Sequence, residues 1–253
     1  MSAPRTALRI DGVSMRYGRT GALVLADVEL NVAEGEFVCM LGRSGCGKST
    51  LLSLIAGPER PTSGTIDAGG RGIGMMFQDS GLFPWLTVQG NIELALRLSG
   101  VPRAEWDDRV ADLLAIVRLP GAQRRRPHEL SGGMRQRVAL ARTLAQECRV
   151  LLMDEPFAAL DAITRDAMHD EIERIAAERA LTVLFVTHNV REAVRLGDRV
   201  LLLQSGPGRV AGELVVDLPR PRRLDSPDVA VRAAHLHELL DAQTDVDPEE
   251  VAA

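Results

Sequence analysis

Short apolar runs recur through the middle of the chain and predict strands that are buried on both faces. Each run ends at a polar or turn-forming residue, and the stretches between the runs are long enough for crossover helices. Strands joined in this way lie parallel to one another. The pattern therefore predicts an α/β fold with a mostly parallel core sheet. The runs are EFVCML, GIGMMF, RVLLMD and TVLFVT.

Other segments follow different periodicities. Alternating apolar and polar residues in LRIDGVSMRY and LVLADVELNV predict an antiparallel β subdomain, and GRVAGELVVDL near the end predicts a further strand pair. In NIELALRLSG and EWDDRVADLLAIVRL the apolar residues follow a helical period, so we interpret residues 87–145 as an inserted helical subdomain. We expect a single domain over residues 1–242, with a helix near Val229–Leu240, and an acidic, frayed tail over residues 243–253.

Composition and charge narrow the function classes. The 253 residues carry a formal net charge of -5, which argues against a nucleic-acid-binding protein, because such proteins present a basic face. The three cysteines lack metal-ligand spacing and fit a reducing compartment. The N-terminus has no signal-peptide pattern, and no apolar run approaches the length of about 18 residues that a membrane span needs. We expect a cytoplasmic protein whose role at a membrane is peripheral.

A glycine-rich loop follows the first buried run and precedes a helical pattern. Its spacing is Gly42-x4-Gly47-Lys48-Ser49. Glycines let successive backbone N–H groups point at one anion, and the following helix adds the positive end of its dipole. We predict that Lys48 reaches the β- and γ-phosphates of a nucleotide and that the Ser49 hydroxyl is a magnesium ligand. The predicted nucleotide contacts are Gly42, Arg43, Ser44, Gly45, Cys46, Gly47, Lys48, Ser49 and Thr50.

Cys46 lies inside this loop and has two interpretations. The positive field of the helix start favours a thiolate, which would make Cys46 a redox switch. Alternatively, cysteine is simply a small side chain that fits the loop. Both interpretations stand at this point.

Polar residues with catalytic potential end the other buried runs. Asp154 and Glu155 follow RVLLM, Gln78 ends GIGMMFQ, and His188 follows TVLFVT. The carboxyl ends of parallel strands meet at the edge of the sheet where ligands bind. Because side chains alternate along a strand, Asp154 can face a magnesium ion while Glu155 polarises an attacking water. We predict that His188 contacts the γ-phosphate and that Gln78 touches the magnesium ion or the water. The rival interpretations are a structural turn before Pro156 and a packed core histidine.

A second glycine-rich helix start lies far along the chain. Ser131, Gly132 and Gly133 in LSGGMRQR precede a basic, amphipathic stretch. Bare N–H groups and a positive dipole end are available there to an anion. The intervening helical subdomain makes reach to Lys48 of the same chain doubtful.

The motifs together resemble one known family. The phosphate loop, Gln78, LSGG, LLMDEP, Asp161 and His188, in this order, resemble the ATP-binding subunit of an ABC transporter, over about residues 8–240. The resemblance implies a P-loop ATPase fold, ATP and Mg²⁺ as cofactors, and hydrolysis coupled to transport. It also implies that LSGG serves the nucleotide of a second copy, so that a head-to-tail dimer sandwiches two ATP molecules. Within the resemblance, Tyr17 matches the aromatic residue that stacks on adenine, and Asp161 matches the loop that couples the two sites.

The segment after Gln78 carries an apolar cluster, Leu82–Leu86, which we interpret as a docking surface for membrane permease subunits. Packing under the helical subdomain is the rival interpretation. PWLTV and ALDAITR resemble the importer subgroup for nitrate, taurine and aliphatic sulfonates, in which a solute-binding protein acts indirectly, at the far side of the permease. Arg43 and Pro58 depart from the proline and leucine that are common in the family.

Other function classes remain open. The chain could be the importer subunit for a different small solute, or a non-transport ABC ATPase that acts in translation or DNA repair. Those ATPases usually carry paired domains or large insertions, whereas this chain has one set of motifs and no basic patch. A P-loop kinase for a small molecule would need an acceptor pocket and would not need LSGG, Glu155 and His188 together.

Overall fold

The computed structural model describes residues 5–18 and 20–242. These residues divide into two compact units, one formed by the described parts of residues 1–70 and 182–253 and the other by residues 71–181. The predicted helical subdomain, residues 87–145, falls within the second unit. The single domain over residues 1–242 stays a prediction, and the tail over residues 243–253 lies outside the described residues.

The described residues form nine strands and seven α-helices. The strands are β1 (Thr6–Arg16), β2 (Leu23–Ala33), β3 (Phe37–Gly42), β4 (Ser63–Asp67), β5 (Ile73–Met76), β6 (Val150–Asp154), β7 (Thr182–Val186), β8 (Arg199–Gln204) and β9 (Arg209–Val215). The helices are α1 (Lys48–Ala56), α2 (Val88–Leu98), α3 (Trp106–Ile116), α4 (Gly132–Leu144), α5 (Ala162–Arg179), α6 (Val190–Leu196) and α7 (Pro227–Ala242).

The first unit contains an antiparallel sheet in the order β2-β1-β4. In β2, the buried residues Val28, Leu30 and Val32 alternate with the exposed residues Glu29 and Asn31. One face of the strand therefore packs and the other meets water. The prediction of half-buried antiparallel strands near the N-terminus is confirmed.

The same unit holds a second set of strands, in which β3 lies between β7 and β8 and runs parallel to both. Phe37–Leu41 and the whole of β7 are buried, as expected of strands covered on both faces. Strand β9 pairs antiparallel with β8 at the edge.

The prediction of a strand pair in GRVAGELVVDL is wrong. The segment forms one strand, β9, and its partner is β8. Gly212, in the middle of the segment, pairs with Leu202, and the pairing shifts by a bulge before Val210 pairs with Leu203. A glycine inside an alternating pattern is as compatible with a bulge as with a hairpin turn.

The second unit combines the parallel pair β5 and β6 with helices α2 to α5. Thr87 starts α2, because its side chain accepts a hydrogen bond from Gly90 N at 3.1 Å. Helices α2, α3 and α4 pack on one another. The apolar residues that they bury include Ile92, Leu96, Val110, Leu113, Leu114, Val138 and Leu140. The helical character predicted for residues 87–145 is confirmed.

Among the described residues, the helices are all too short or too polar to cross a lipid bilayer.

Candidate functional site

The phosphate loop joins β3 to α1. Gly47 precedes α1 with φ 95°, in the left-handed region, and a Cβ atom there would lie 2.5 Å from Leu25 Cδ2. A Cβ atom on Gly42 would lie 2.6 Å from Cys46 Sγ. Both positions therefore require glycine. Among the residues that the structure describes, no side chain caps the first turn of α1, so its N–H groups are available to an anion.

The side chain of Lys48 turns back onto this loop. Its side chain is only 7% exposed, and its Nζ donates to Gly42 O at 2.7 Å and to Arg43 O at 3.0 Å. Carbonyl oxygens thus hold the ammonium group within the loop that the sequence predicts to bind phosphate.

Cys46 packs within the same loop. The residue is buried, and Sγ lies 3.7 Å from Lys48 Nζ. Burial shields the thiol from oxidants, so the structure favours the interpretation of a small side chain that fits.

Tyr17 lies beside the helix that follows the loop. It is 49% exposed, and its hydroxyl donates to Glu59 Oε2 at 2.8 Å. A hydrogen bond with Thr50 is the largest influence on its pKa and lowers it. The bond to Glu59, desolvation and the negative charge of Glu59 outweigh this, so the pKa of Tyr17 is raised. The ring is anchored at its hydroxyl end, while half of its surface stays open to a stacking partner.

His188 follows β7, the strand next to the one that carries the phosphate loop. Met40 of β3 pairs with Val186 of β7 in parallel register, so the loop and His188 leave neighbouring strands at the same end. His188 is exposed, which excludes the rival interpretation of a buried core histidine. Thr187 Oγ1 donates to Glu192 and accepts from Asn189 N at 3.0 Å, and these bonds fix the turn that presents His188.

The first unit therefore brings together the phosphate loop, the tyrosine and the histidine. The second unit carries the other predicted site residues.

Strands β5 and β6 end side by side in the second unit. Met76 pairs with Met153 in parallel register, so Gln78 and Glu155, each two residues further on, leave the same edge. Asp154 ends β6, and both it and Glu155 are partly exposed. Glu155 has φ 44°, a strained value for a residue other than glycine, and such strain is concentrated at functional sites.

Hydrogen bonds tie the segment after β5 to α4, the helix that LSGG begins. Gln136 Nε2 donates to Gln78 O at 2.7 Å. Arg142 Nη2 donates to Ser80 O at 2.9 Å and its Nη1 to Gly81 O at 2.6 Å. The Gln78 side chain stays exposed at the strand edge while its main chain is fixed.

The LSGG segment starts α4, as predicted. Ser131 precedes the helix, and its Oγ accepts from Met134 N at 3.3 Å. A Cβ atom on Gly133 would lie 2.4 Å from Thr164 Cγ2, and one on Gly132 would lie 3.3 Å from a methyl group of Leu160. The glycines therefore let α4 begin in close contact with the start of α5.

Asp161 begins α5. Its side chain accepts from Thr164 N at 3.0 Å and from Thr164 Oγ1 at 2.7 Å. Hydrogen bonds from the Thr164 side chain and then its backbone lower the pKa of Asp161. These bonds anchor the Asp161 side chain to its own helix, and the residue is nevertheless exposed.

Glu171 is a residue that sequence reasoning missed. It is fully buried on α5, 3.0 Å from Arg174 Nη2, 3.2 Å from Arg118 Nε and 3.7 Å from Arg137 Nη1. Arg137 belongs to α4 and also donates to Val117 O at 3.0 Å. One buried carboxylate thus ties the LSGG helix, the end of α3 and the helix of Asp161 together. The only sequence signal was a glutamate within a helix rich in charge.

Gly208 was also missed as part of the phosphate loop's support. A Cβ atom there would lie 2.2 Å from Cys46 O. Gly208 N donates to Val24 O at 2.8 Å. The turn between β8 and β9 therefore packs directly against the loop.

The apolar cluster Leu82–Leu86 presents an exposed tryptophan. The rings of Phe83 and Trp85 lie 5.4 Å apart, and Trp85 is 67% exposed. The buried Asn91 of α2 accepts from Phe83 N at 2.8 Å and donates to Phe83 O at 3.2 Å. Phe83 is partly packed on the helical subdomain, as the rival interpretation expects, but Trp85 points outward.

Comparisons with known proteins agree with these motifs. The chain is 46% identical over 210 residues to the nitrate import ATP-binding protein NrtD of Synechocystis sp.. The aligned region covers 80% of this chain and 79% of that protein. It is 44% identical over 246 residues to the aliphatic sulfonates import ATP-binding protein SsuB of Pectobacterium atrosepticum, over 94% and 89% of the two chains. The bicarbonate transport ATP-binding protein CmpC of Synechococcus elongatus is 46% identical, but the chain spans only 32% of its length.

A solved structure shares the fold. It is a dimeric ATP-binding cassette in a post-hydrolysis state bound to ADP and Pi, with a TM-score of 0.73 and 32% identity, and it matches 84% of this chain and 100% of its own. The sequence model of the ABC transporter family matches residues 25–158. The chain therefore belongs to the ABC transporter family.

Proposed function

We propose that this chain is the ATP-hydrolysing subunit of an importer that takes up a small anion or sulfonate-like solute through separate membrane permease subunits. The observation that carries the proposal is that two glycine-rich helix N-termini could each bind an anion. One begins at Lys48 and the other at Gly132, in two different units. A single bound phosphate chain would need only the first. The names of the nitrate and sulfonate relatives support the solute class.

The phosphate loop binds the nucleotide through its main chain. Lys48 exchanges the carbonyl oxygens of Gly42 and Arg43 for β- and γ-phosphate oxygens. Tyr17 stacks on the adenine ring, and His188 contacts the γ-phosphate. Glu155 polarises the water that attacks the γ-phosphorus and accepts its proton.

Each predicted magnesium ligand carries a suitable donor atom. Ser49, Gln78 and Asp154 are exposed or partly exposed residues with a side-chain oxygen, and oxygen donors are what Mg²⁺ prefers. The described residues contain no group of three or more His, Cys, Asp or Glu side chains around one point. Of the three predicted ligands only Asp154 is of those residue types, so a site that used the hydroxyl of Ser49 and the amide oxygen of Gln78 would not form such a group. When bound, Mg²⁺ neutralises charge that develops on the phosphates.

A second copy of the chain completes each site. Ser131, Gly132 and Gly133 of one copy close over the γ-phosphate held by the phosphate loop of the other, and Asp161 couples the two sites. The dimeric state of the structural relative supports this arrangement. ATP then holds the copies together, and hydrolysis releases them.

The cluster Leu82–Leu86 docks on the permease at the cytoplasmic face of the membrane, and the solute-binding protein is reached only through the permease. The exposed Trp85 supports this assignment, because exposed aromatic residues are enriched where proteins bind each other. The net charge of -5 supports the expectation of no nucleic-acid partner.

The test is solute uptake by the chain reconstituted with its permease and solute-binding protein. Vesicles loaded with MgATP are expected to take up labelled nitrate, taurine or an alkanesulfonate, and Trp85→Ala is expected to lower uptake and recovery of the permease. Leu98→Ala, at another exposed apolar residue of the second unit, is the matched control. Uptake of an unrelated solute instead would show that the proposed solute class is wrong. Failure of the chain to bind any permease would contradict the importer proposal.

A further inference from the structure

We propose that the side chain of Arg43 in one copy inserts into a pocket in the second unit of its partner and binds there as a guanidinium group. This inference rests on the head-to-tail dimer of the proposed function and adds a contact to it. The pocket lies between Gln78–Ser80, the start of α4, and Ala159–Leu160.

The pocket is a cavity of about 390 Å³ lined entirely by residues of the second unit. Gln136 forms part of its wall and is only 5% exposed. Its Nε2 is bonded to Gln78 O, but its Oε1 is buried and has no hydrogen-bond partner among the described residues. The wall of the pocket therefore includes a buried acceptor whose hydrogen bond is not made, which costs free energy.

The pocket favours a cationic donor. Asp79 lines it with an exposed carboxylate, whose Oδ1 accepts from Gly81 N at 3.0 Å. Arg135 also lies on the wall, where its Nη1 donates to Leu130 O at 2.8 Å. An anion is repelled by the Asp79 carboxylate, whereas a cation pairs with it. A guanidinium group has five N–H donors in a planar fork and can bind this carboxylate through two of them.

Arg43 is the cation that the dimer brings to this place. It is exposed on the phosphate loop, where its carbonyl oxygen accepts from Lys48. In the head-to-tail dimer the LSGG segment of one copy faces the phosphate loop of the other, and Gly132 of that segment lines the pocket. The proline that is common at this position in the family has neither the reach nor the charge. The contact of Arg43 is therefore one that relatives with proline lack.

Charge reversal combined with mixing tests the contact between copies. All samples are the full chain carrying Glu155→Gln, so that the ATP-bound dimer accumulates. Arg43→Glu and Asp79→Arg each place like charges across both contacts of the symmetric dimer. Each is expected to raise the protein concentration at half-dimerisation in MgATP about tenfold or more, because like charges at an interface disfavour association.

The mixture of the two variants gives the decisive result. In the mixed dimer the introduced glutamate faces the introduced arginine at one contact, and the native Arg43 faces the native Asp79 at the other. Dimerisation is therefore expected to return to within about threefold of the parent, because complementary charges stabilise an interface. A contact within one chain could not be restored by mixing. Absence of weakening in the single variants, or absence of restoration in the mixture, overturns the inference.

Controls separate this contact from general effects. Arg5→Glu reverses an exposed arginine elsewhere on the first unit and is expected to leave dimerisation unchanged. Asp79→Asn keeps an acceptor for Gly81 N, so it is expected to weaken dimerisation less than Asp79→Arg and not to be restored by Arg43→Glu. If charge reversal prevents folding, the neutral pair Arg43→Gln and Asp79→Asn replaces it, each with a smaller expected loss. A parent that stays monomeric in saturating MgATP overturns both this inference and the proposed dimer.

Discussion

The Gln136 side chain donates to the carbonyl oxygen of Gln78 at 2.7 Å. Gln136 belongs to the helix that LSGG begins, and Gln78 follows the strand next to the one that carries Glu155. This bond joins the helix that LSGG begins to the strand edge that carries the predicted magnesium and water ligands, and Arg142 of the same helix adds two bonds further along the segment, to Ser80 O and Gly81 O. This bond gives α4 a direct influence on where the Gln78 segment lies.

Loss of this bond is expected to reduce hydrolysis. Gln136→Met keeps a similar volume but removes the donor, which leaves a main-chain acceptor unsatisfied at a cost of about 1–3 kcal/mol. We expect a lower kcat for ATP with little change in nucleotide affinity, because no contact of the phosphate loop is altered. Steady-state kinetics and nucleotide titration check this. The control is Gln146→Met, at an exposed glutamine beyond the end of α4. Equal kcat values for Gln136→Met and the parent would contradict the coupling.

Lys48→Ala is expected to abolish hydrolysis and weaken nucleotide binding. The ammonium group is the one side-chain cation assigned to the β- and γ-phosphates, and each charge-assisted hydrogen bond that it makes is worth about 1.5–3 kcal/mol. Calorimetric titration with ATP and with ADP measures the loss, which should be larger for ATP. Undiminished hydrolysis would refute the role of Lys48.

Removal of the Glu171 charge is expected to destabilise the second unit. Glu171→Gln leaves the partly buried Arg137 without its carboxylate, while Arg174 loses one of its two and keeps Glu178. We expect the free energy of unfolding to fall by about 3 kcal/mol, at the low end for a broken buried ion pair because Arg118 is largely exposed. Denaturant titration measures it. Glu178→Gln is the matched control, because it removes the exposed carboxylate that pairs with the same Arg174, and it should cost at most about 1 kcal/mol. Equal losses in the two variants would contradict the account of Glu171.

Burial raises the pKa of the Cys148 thiol to about 11, above its usual value of 9.0. The folded state therefore holds this proton more tightly than the unfolded state. The resulting stabilisation is fully present below about pH 9 and is lost as the pH rises through about 11. We expect the free energy of unfolding to fall less steeply between these pH values in Cys148→Ala than in the parent. If the free energy of unfolding changed with pH equally steeply in the parent and in Cys148→Ala, the thiol would not titrate as its burial implies.

The elements with a local signal are predictable from the sequence. Apolar runs such as FVCML identify buried strands, and the positions of Asp154 and His188 at strand ends follow from them. The glycines of the phosphate loop and of LSGG are recognisable by their spacing along the chain, although the packing that requires them is with distant residues, Leu25 at Gly47 and Thr164 at Gly133. These signals depend on neighbours along the chain.

Features that depend on distant partners are not predictable in the same way. Glu171 resembles a surface residue until the fold brings Arg118 and Arg137 to it. The single strand β9 differs from the predicted pair because the local pattern around Gly212 fits either a turn or a bulge, and its pairing with Leu202 is decided by the neighbouring strand. Spacing along the chain carries no information about these contacts.

The most direct test of the central claim is to measure the molecular mass of the Glu155→Gln variant in solution. The claim is that LSGG of one copy completes the ATP site of another. Without its catalytic carboxylate the chain should bind MgATP without hydrolysing it and should accumulate as a dimer, and the further change Ser131→Arg, which blocks the helix start at LSGG, should return it to the monomer. Light scattering after gel filtration in saturating MgATP is expected to give twice the chain mass for Glu155→Gln and a single chain mass without nucleotide. A monomer in saturating MgATP, with nucleotide bound, would contradict the shared site.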